Sequence, residues 1–402
     1  MEEPVFKGSF TQQEPIPDAA IEAAVAVMRS GRLHRYNLAP DEAGETALLE
    51  EEFAALTGAR YCLAVASGGY AMSCALRAMG VGHGDRVLSN GFTLAPVPGA
   101  IASVGAEPVF VETTGALTID IDDLAGKAAA SGAKVLLLSH MRGHICDMDR
   151  LMELCTRLGV EVVEDCAHTM GATWNGVPSG RHGRVGCYST QTYKHINSGE
   201  GGLLVSDDAE LMARAIILSG SYMLYARHRA RPPVDTFEKV KLETPNVSGR
   251  MDHLRAAILR VQLQGLSDRV ARWNALYATV EEGLRNTPGL RVIERDPREG
   301  IVGSSIQFLL PGFTEGRIRD ILAACAARGV ELKWFGAAEP VAFTSRYDSW
   351  RYAPPQRLPR TDEILAGLID MRLPLTFTVE DAGLIATIIR DEVQASFRHA
   401  AE

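Results

Sequence analysis

Two residues in this sequence could together carry out chemistry on an amine. Lys194 lies in the run Gln191-Thr192-Tyr193-Lys194-His195-Ile196-Asn197-Ser198-Gly199-Glu200-Gly201-Gly202, and Asp165 closes an apolar run that begins at Val160. An amine near a carboxylate, with a glycine turn behind it, suits Schiff-base formation with an aldehyde. Pyridoxal 5'-phosphate (PLP) has matching needs: a lysine to hold its aldehyde, a carboxylate against its pyridine nitrogen to keep the ring an electron sink, and donors for its phosphate. A nucleotide P-loop does not fit, because here the lysine precedes the glycines. Residue types alone leave plainer roles open, since lysine is usually a solvated surface residue and Asp165 could equally cap a helix.

The elements that must position these groups alternate short apolar runs with helical patterns, which reads as α/β with a largely parallel sheet. Helices are expected over residues 19–28, 45–56, 71–78 and 98–103, with strands over 61–66, 86–89 and 108–111. The clearest unit is a strand over 134–139, a helix over 147–158 ending before Gly159, and a strand over 160–164. Such a βαβ crossover delivers Glu164-Asp165 to the carboxyl edge of the sheet, where open α/β folds bind ligands. Beyond Gly202 the pattern gives a strand over 203–206, a helix over 208–218, an irregular stretch to Gly249, and helices over 251–264 and 271–284. A strand over 304–309, a helix over 315–328, a strand over 330–334, a Pro-rich loop and a last helix over 379–396 complete it. The expected division is a large domain, residues 1–270, with N-terminal helices and a mostly parallel sheet, and a small C-terminal α+β domain, residues 271–402.

Composition narrows the partners. The 402 residues carry a net charge of −9 and are 46% hydrophobic and 23% charged, as soluble globular chains are. No Lys/Arg run offers the clustered cations that nucleic acid requires. No apolar run reaches the ~18 residues of a spanning helix. The start, Met1-Glu2-Glu3, lacks the basic residues of a signal peptide, so a cytoplasmic protein without membrane contact is expected. Seven cysteines, an odd number with no C-x-x-C pair, read as reduced and buried rather than as disulfides or metal ligands.

Four stretches together carry a resemblance: Val163-Glu164-Asp165-Cys166-Ala167-His168 with Gly171-Ala172; Gly186-Cys187-Tyr188-Ser189; Lys194 followed by Gly199-Glu200-Gly201-Gly202; and Gly249-Arg250-Met251 with Ala256-Ala257 and Gln262-Leu263. In order and spacing, from Ser30-Gly31-Arg32 to Leu373-Pro374-Leu375, the chain resembles the DegT/DnrJ/EryC1/StrS family. These are fold-type I PLP-dependent enzymes best known as sugar and aminocyclitol aminotransferases.

The resemblance implies roles position by position. Lys194 would hold the cofactor aldehyde and then move the substrate proton. Asp165 would face the pyridine nitrogen, and His168 would lie near the cofactor's ring hydroxyl. Gly68 and Gly69, within Ser67-Gly68-Gly69-Tyr70, would bind phosphate at a strand-to-helix turn, helped by Ser189 and Gln191. Relatives commonly show Ser-Gly-Thr there, so Gly69 lacks a hydroxyl. The aromatic that stacks on the ring is replaced by Leu94, and either that aliphatic side chain or Phe92, two residues earlier, covers it. Asn246 or Ser248, before Gly249-Arg250, would reach across a homodimer interface to the neighbour's phosphate.

Substrate recognition is assigned to Arg142, in a segment where relatives carry an aromatic, and to Tyr222 and Arg229 in the basic loop 221–233. Arg142 could pair with a substrate carboxylate or form a surface salt bridge, and the loop could equally be simply solvated. The stretches Lys333-Trp334-Phe335-Gly336 and Thr344-Ser345-Arg346-Tyr347 do not match the Pro/His-rich pattern of nucleotide-sugar members, which disfavours a nucleotide-sugar acceptor. The implied activity is amino transfer by a ping-pong route, from an amino acid such as Glu or Gln to a keto-sugar, keto-cyclitol or other secondary-metabolite ketone. A PLP-dependent lyase or dehydratase would keep the cofactor and change the reaction. A ligand-sensing regulatory protein would keep only the fold.

Overall fold

The expected βαβ crossover forms in the computed structural model of the chain, which describes residues 4–39 and 42–398. The acidic start Met1–Glu3 lies outside the described residues. Strand β4 (Val135–Ser139) leads through the helix Met148–Leu158 to β5 (Glu161–Asp165), and the two strands pair in parallel from Val135↔Glu161 to Ser139↔Asp165. The helix forms where Asp147 accepts the Arg150 amide, and it stops at Gly159, whose left-handed backbone (φ 63°) a β-carbon would strain.

Around this unit lie β1 (Tyr61–Val65), β2 (Arg86–Asn90), β3 (Glu107–Val111), β6 (Val185–Ser189) and β7 (Gly202–Ser206). The sheet order is β1-β7-β6-β5-β4-β2-β3, and only β7 runs against the rest. Because β6 and β7 are adjacent and antiparallel, the segment between them, which holds Lys194, is a hairpin loop at the carboxyl edge of the parallel strands. A second, antiparallel sheet has the order Arg291–Val292, Ser305–Leu309, Leu368–Arg372, Lys333–Trp334. The helix Leu266–Leu284 crosses the boundary expected at residue 270. Its Trp273, Leu276, Tyr277, Val280 and Leu284 pack into one core with Ile306 and Phe308 of the small sheet and with Leu136, Leu138 and Val162 of the large one.

Several elements depart from the sequence pattern. The helix Ile121–Ser131 has few large apolar residues and a central glycine; its start is held by Asp120, which accepts the Asp122 and Asp123 amides. The short helix Val234–Val240 interrupts the stretch expected to be irregular, and Pro359–Ala366 forms a helix with proline in its first turn. The strand Leu368–Arg372 carries two charges in five residues, which masks its β character, although its first four residues are buried. Of the strand expected over 330–334 only Lys333 and Trp334 pair, opposite Asp370 and Ile369. The seven cysteines are free and buried. No helix among the described residues is long and apolar enough to cross a membrane.

One buried ionic network ties the N-terminal segment to the large sheet. Glu50 accepts two hydrogen bonds from Arg35 (2.9 and 3.0 Å) and one from the Ala64 amide of β1 (2.8 Å), and His228 Nδ1 lies 3.1 Å from it. Burial opposes ionisation of Glu50, and Arg35 and His228 together outweigh it, holding the carboxyl down to about 2. The stabilisation is therefore complete above the ordinary value of 4.5 and is lost as pH falls toward about 2. Replacing Glu50 with alanine leaves Arg35 buried without its carboxylate and lowers unfolding free energy by about 3–5 kcal/mol. Denaturant titration of both proteins at neutral pH measures this gap, which narrows as the wild type is taken from pH 4.5 toward 2.

Candidate active site

A cavity of about 490 Å3 opens between the carboxyl edge of the large sheet and the small sheet. Ser67, Gly68, Gly69, Ser139, Asp165, His168, Ser189, Gln191 and Lys194 line it from the large-sheet side, so most of the residues singled out from sequence converge there.

Asp165 is the last residue of β5. Its Oδ2 accepts from Ser139 Oγ (2.9 Å) and its Oδ1 from the Ala167 amide (3.1 Å), which fixes the carboxylate at the cavity wall. The pleat sends its neighbour Glu164 to the opposite face. There Glu164 accepts the amides of Gly180, His182 and Gly183, and His140 Nε2 lies 2.9 Å away. Glu164 lies near His140 and Cys166, but with its oxygens so engaged it serves to hold the loop entering β6.

The anion end of the cavity is the start of the helix Gly68–Ala78. Ser67 Oγ caps it by accepting the Tyr70 amide (3.0 Å), which leaves the first-turn amides of Gly68 and Gly69 for a ligand. Glycine is required here by close approach. A Cβ on Gly68 would lie 2.8 Å from Ser189 Cβ, and one on Gly202 would lie 2.5 Å from the Ser67 carbonyl. Tyr70 turns away and donates to the Leu218 carbonyl (3.1 Å).

Lys194 is held in its loop by Lys194 N–H donating to the Gln191 carbonyl (2.9 Å) and by Thr190 and Ser198 closing the hairpin base. Burial first, then the cations Arg142 and Arg372, lower its amine to about 7, with Asp165 pulling the other way. Its Nζ lies 3.0 Å from His168 Nε2. Burial and the neighbouring cations, Lys194 foremost, push His168 well below its usual value, so the imidazole is neutral. The Arg142 amide can only donate, and it approaches His168 Nδ1 at 3.3 Å. With Nδ1 as acceptor, a neutral ring carries its proton on Nε2, which faces the Lys194 lone pair whenever that amine is unprotonated.

Several expectations are corrected. Phe92 does not reach the cavity. It is fully buried, edge-on to Phe335 with centroids 5.1 Å apart, among Leu117, Met141 and Leu309, while Leu94 lines the cavity. Arg142 is no surface residue: it lines the cavity with its Nη2 2.8 Å from Asp370 Oδ2, both side chains buried. Arg229 is outside the cavity lining and pairs with Glu51 (2.6 Å). Tyr222 is 61% exposed and likewise absent from the lining, with the Arg250 guanidinium over its ring. Apart from these corrections, Asn246 and Ser248, expected to act in a neighbouring copy's site, lie outside this chain's own cavity, with Asn246 Oδ1 accepting the Ser248 amide (3.1 Å).

Sequence reasoning missed Tyr193, Trp273, Phe343 and Arg372, all in the lining. Arg372 immediately precedes the recognised Leu373-Pro374-Leu375, and Tyr193 precedes Lys194. Arg372 stood just outside its signal, and Tyr193 stood within the lysine run without a role being read for it.

An open α/β sheet that presents a buried lysine of lowered basicity, a fixed carboxylate and a helix start to one cavity defines an enzyme of amine chemistry. Residues 17–390 match the DegT/DnrJ/EryC1/StrS aminotransferase family, and the chain belongs to it. It is similar to the dTDP-3-amino-3,4,6-trideoxy-alpha-D-glucose transaminase of Streptomyces venezuelae, 35% identical over 71% of this chain and 69% of that one. The L-glutamine:scyllo-inosose aminotransferase of Streptomyces griseus is 34% identical over 55% of this chain and 52% of that protein. The solved structure of 3-amino-5-hydroxybenzoic acid synthase superposes with a TM-score of 0.80 or better, namely 0.82, at 26% identity, covering 98% of this chain and 100% of that one. The protein is an aminotransferase of the α/β class expected.

The lowered basicity of Lys194 has a direct readout. Reductive methylation of the cofactor-free protein with formaldehyde and borohydride should modify Lys194 half-maximally near pH 7, against 10.5 for an ordinary lysine. Peptide mass mapping across pH checks it.

Proposed function

We propose that the chain is a PLP-dependent aminotransferase that takes an amino group from glutamine or glutamate and delivers it to a cyclic ketone of the keto-sugar or keto-cyclitol kind. The observation that carries this is Lys194 Nζ, lowered to about 7 and 3.0 Å from a neutral His168, in the cavity that Asp165 and the Gly68–Gly69 turn also line. The family membership supports the cofactor. The names of the relatives support the donor and acceptor classes.

The residues present fit PLP. Gly68 and Gly69 would receive the phosphate with Ser189 and Gln191 beside them, Asp165 would face the ring nitrogen, and Leu94 would lie against the ring. Bound PLP supplies an electron sink that acidifies the carbon bearing the amine. The chain supplies the rest. Lys194, its basicity lowered by burial, would hold the aldehyde and, when free, would be the base that takes the proton from the substrate carbon and returns it. His168, fixed by the Arg142 amide, orients that amine. Asp165, anchored by Ser139 and Ala167, keeps its negative charge aimed into the cavity. Residues 1–270 would form the cofactor-binding domain and residues 271–402 the small domain that closes over it. Two copies would share each site, with Asn246 or Ser248 reaching the neighbour's phosphate.

The test is a two-stage measurement on the PLP-loaded protein. Adding glutamine or glutamate should abolish the cofactor's visible absorbance and release the corresponding keto acid, and a keto-cyclitol should then restore the absorbance and appear as an amine by mass spectrometry. The Lys194→Ala protein should lose turnover and any borohydride-fixed cofactor. Undiminished turnover by that variant would sink the assignment.

A further inference from the structure

The turn that follows β4, Met141–Gly143, holds Arg142 in a left-handed backbone (φ 55°, ψ 23°). That conformation is unfavourable for an arginine, because its β-carbon crowds the backbone, and it persists only where the surroundings hold it. In it the Arg142 N–H faces His168 Nδ1 at 3.3 Å, and His168 Nε2 lies 3.0 Å from Lys194 Nζ. The strained residue is thus one contact away from the reactive amine's neighbour.

The grip on this turn comes from the small sheet. Arg142 Nη2 lies 2.8 Å from Oδ2 of Asp370, in the strand Leu368–Arg372, and both side chains are buried. The other Asp370 oxygen accepts from Nε2 of Gln307 (2.8 Å), its partner in register, and Gln307 Oε1 lies 2.8 Å from His144 Nε2. Each group here has only one workable orientation. A carboxylate only accepts, so the Gln307 NH2 must face Asp370, and its carbonyl oxygen must then accept from His144. Burial and then Arg295 hold His144 well below its usual value, so a neutral ring supplies that proton. The small sheet therefore holds the turn at Arg142 by charge and just beyond it at His144 by a hydrogen bond, while Arg295 Nη1 donates to the Gly143 carbonyl (2.7 Å). Asp370, Gln307 and His144 all lie outside the cavity lining. They act on the site only through the turn.

We propose that Asp370, acting through Arg142, is a positioning residue that fixes the ring proton of His168 on Nε2, so that an N–H rather than a lone pair faces the Lys194 amine. An amide N–H directed at Nδ1 is incompatible with a proton there, which leaves Nε2 as the protonated nitrogen of a neutral ring. An ammonium has only donors and would find no acceptor on that side of the imidazole, whereas a free amine offers its lone pair. The fixed tautomer therefore favours the form of Lys194 that can take a proton from a substrate carbon. The inference rests on the aminotransferase reading and adds to it a control exerted by a strand that touches no substrate.

The experiment uses the full-length protein, freed of cofactor and labelled with 15N in histidine and arginine, at a pH of about 8. Long-range 15N–1H correlation identifies the protonated ring nitrogen, and a scalar coupling across the hydrogen bond links the Arg142 amide to His168 Nδ1; a His168→Gln protein identifies the signals. Wild type should show the proton on Nε2 and the coupling. Asp370→Asn, which removes the charge and keeps the shape, should lose the coupling and spread the proton over both nitrogens. The double variant Arg142→Asn/Asp370→Asn should restore the Nε2 proton, because asparagine tolerates left-handed backbone without the ion pair.

Reductive methylation of Lys194 gives a second readout whose direction is diagnostic. Lys194 is faced by Asp165, Arg142 and Arg372 as well as by His168. Losing the Asp370 charge alone would lower the midpoint or leave it in place. A His168 lone pair turned toward the amine raises it, by about one pH unit. Turnover of the PLP-loaded Asp370→Asn protein should fall about tenfold.

A wild-type proton on Nδ1, an absent coupling, a wild-type tautomer in Asp370→Asn, a midpoint that falls or stays, a double variant that does not recover the tautomer, or turnover unaffected by an altered tautomer each overturns the proposal. Should Asp370→Asn fail to fold, the wild-type spectrum and the double variant still decide. Failure of the wild type to transfer an amino group with the Nε2 proton and the coupling in place would instead count against the proposed reaction.

Discussion

The site depends on the desolvation of one amine. An ammonium taken out of water loses hydration that only a close counter-charge can replace. Around Lys194 the protein supplies one carboxylate, Asp165, and sets Arg142 and Arg372 on the other side of the balance. The remaining contacts follow from that choice. His168 must be neutral to sit 3.0 Å away, and the Arg142 amide fixes which of its nitrogens carries the proton. Asp165 is held at the cavity wall by Ser139 Oγ and the Ala167 amide.

The framework that permits this is the carboxyl edge of a parallel sheet. At its end β5 presents two adjacent acids, and the period of two sends them to different tasks. Asp165 faces the cavity, while Glu164 is saturated by amides of the loop that brings the chain into β6. One strand end therefore positions the charge in the site and anchors the neighbouring strand, whose continuation is the lysine loop. At the far side of the sheet the Arg35–Glu50 pair fastens the N-terminal segment to β1, next to the turn that starts the anion site.

What the sequence made legible follows the range of the forces involved. The crossover from Val135 to Asp165, the lysine loop and the glycine turn are local patterns set by hydrogen-bond geometry and close approach, and they could be read from consecutive residues. The cover of the site could not. Phe92 and Leu94 are two residues apart, and which one faces the cavity is decided by Phe335, far along the chain, whose ring receives Phe92. Whether Arg142 faced substrate or formed a surface salt bridge could not be read, because its partner Asp370 lies on a strand whose two charges hid its β character. The basic loop 221–233 looked available for ligands, yet Arg229 is taken up by Glu51, and His228 by Glu50 and Tyr36. In each case a long-range partner, invisible in the linear pattern, decided whether a charge or a ring was free.

Gly202 shows how much can hang on an atom that is not there. It lies in β7 between Val65 of β1 and Ser189 of β6, and the bare backbone at that point lets the turn after β1 curl over the intervening strand to meet Ser189. The two halves of the anion cradle thus come from strands that are not neighbours, joined by a saddle one side chain deep. The width of the cradle is set by the thickness of a peptide backbone rather than by loop length. A side chain at this one position would meet the Ser67 backbone at 2.5 Å, so the cradle closes only around glycine.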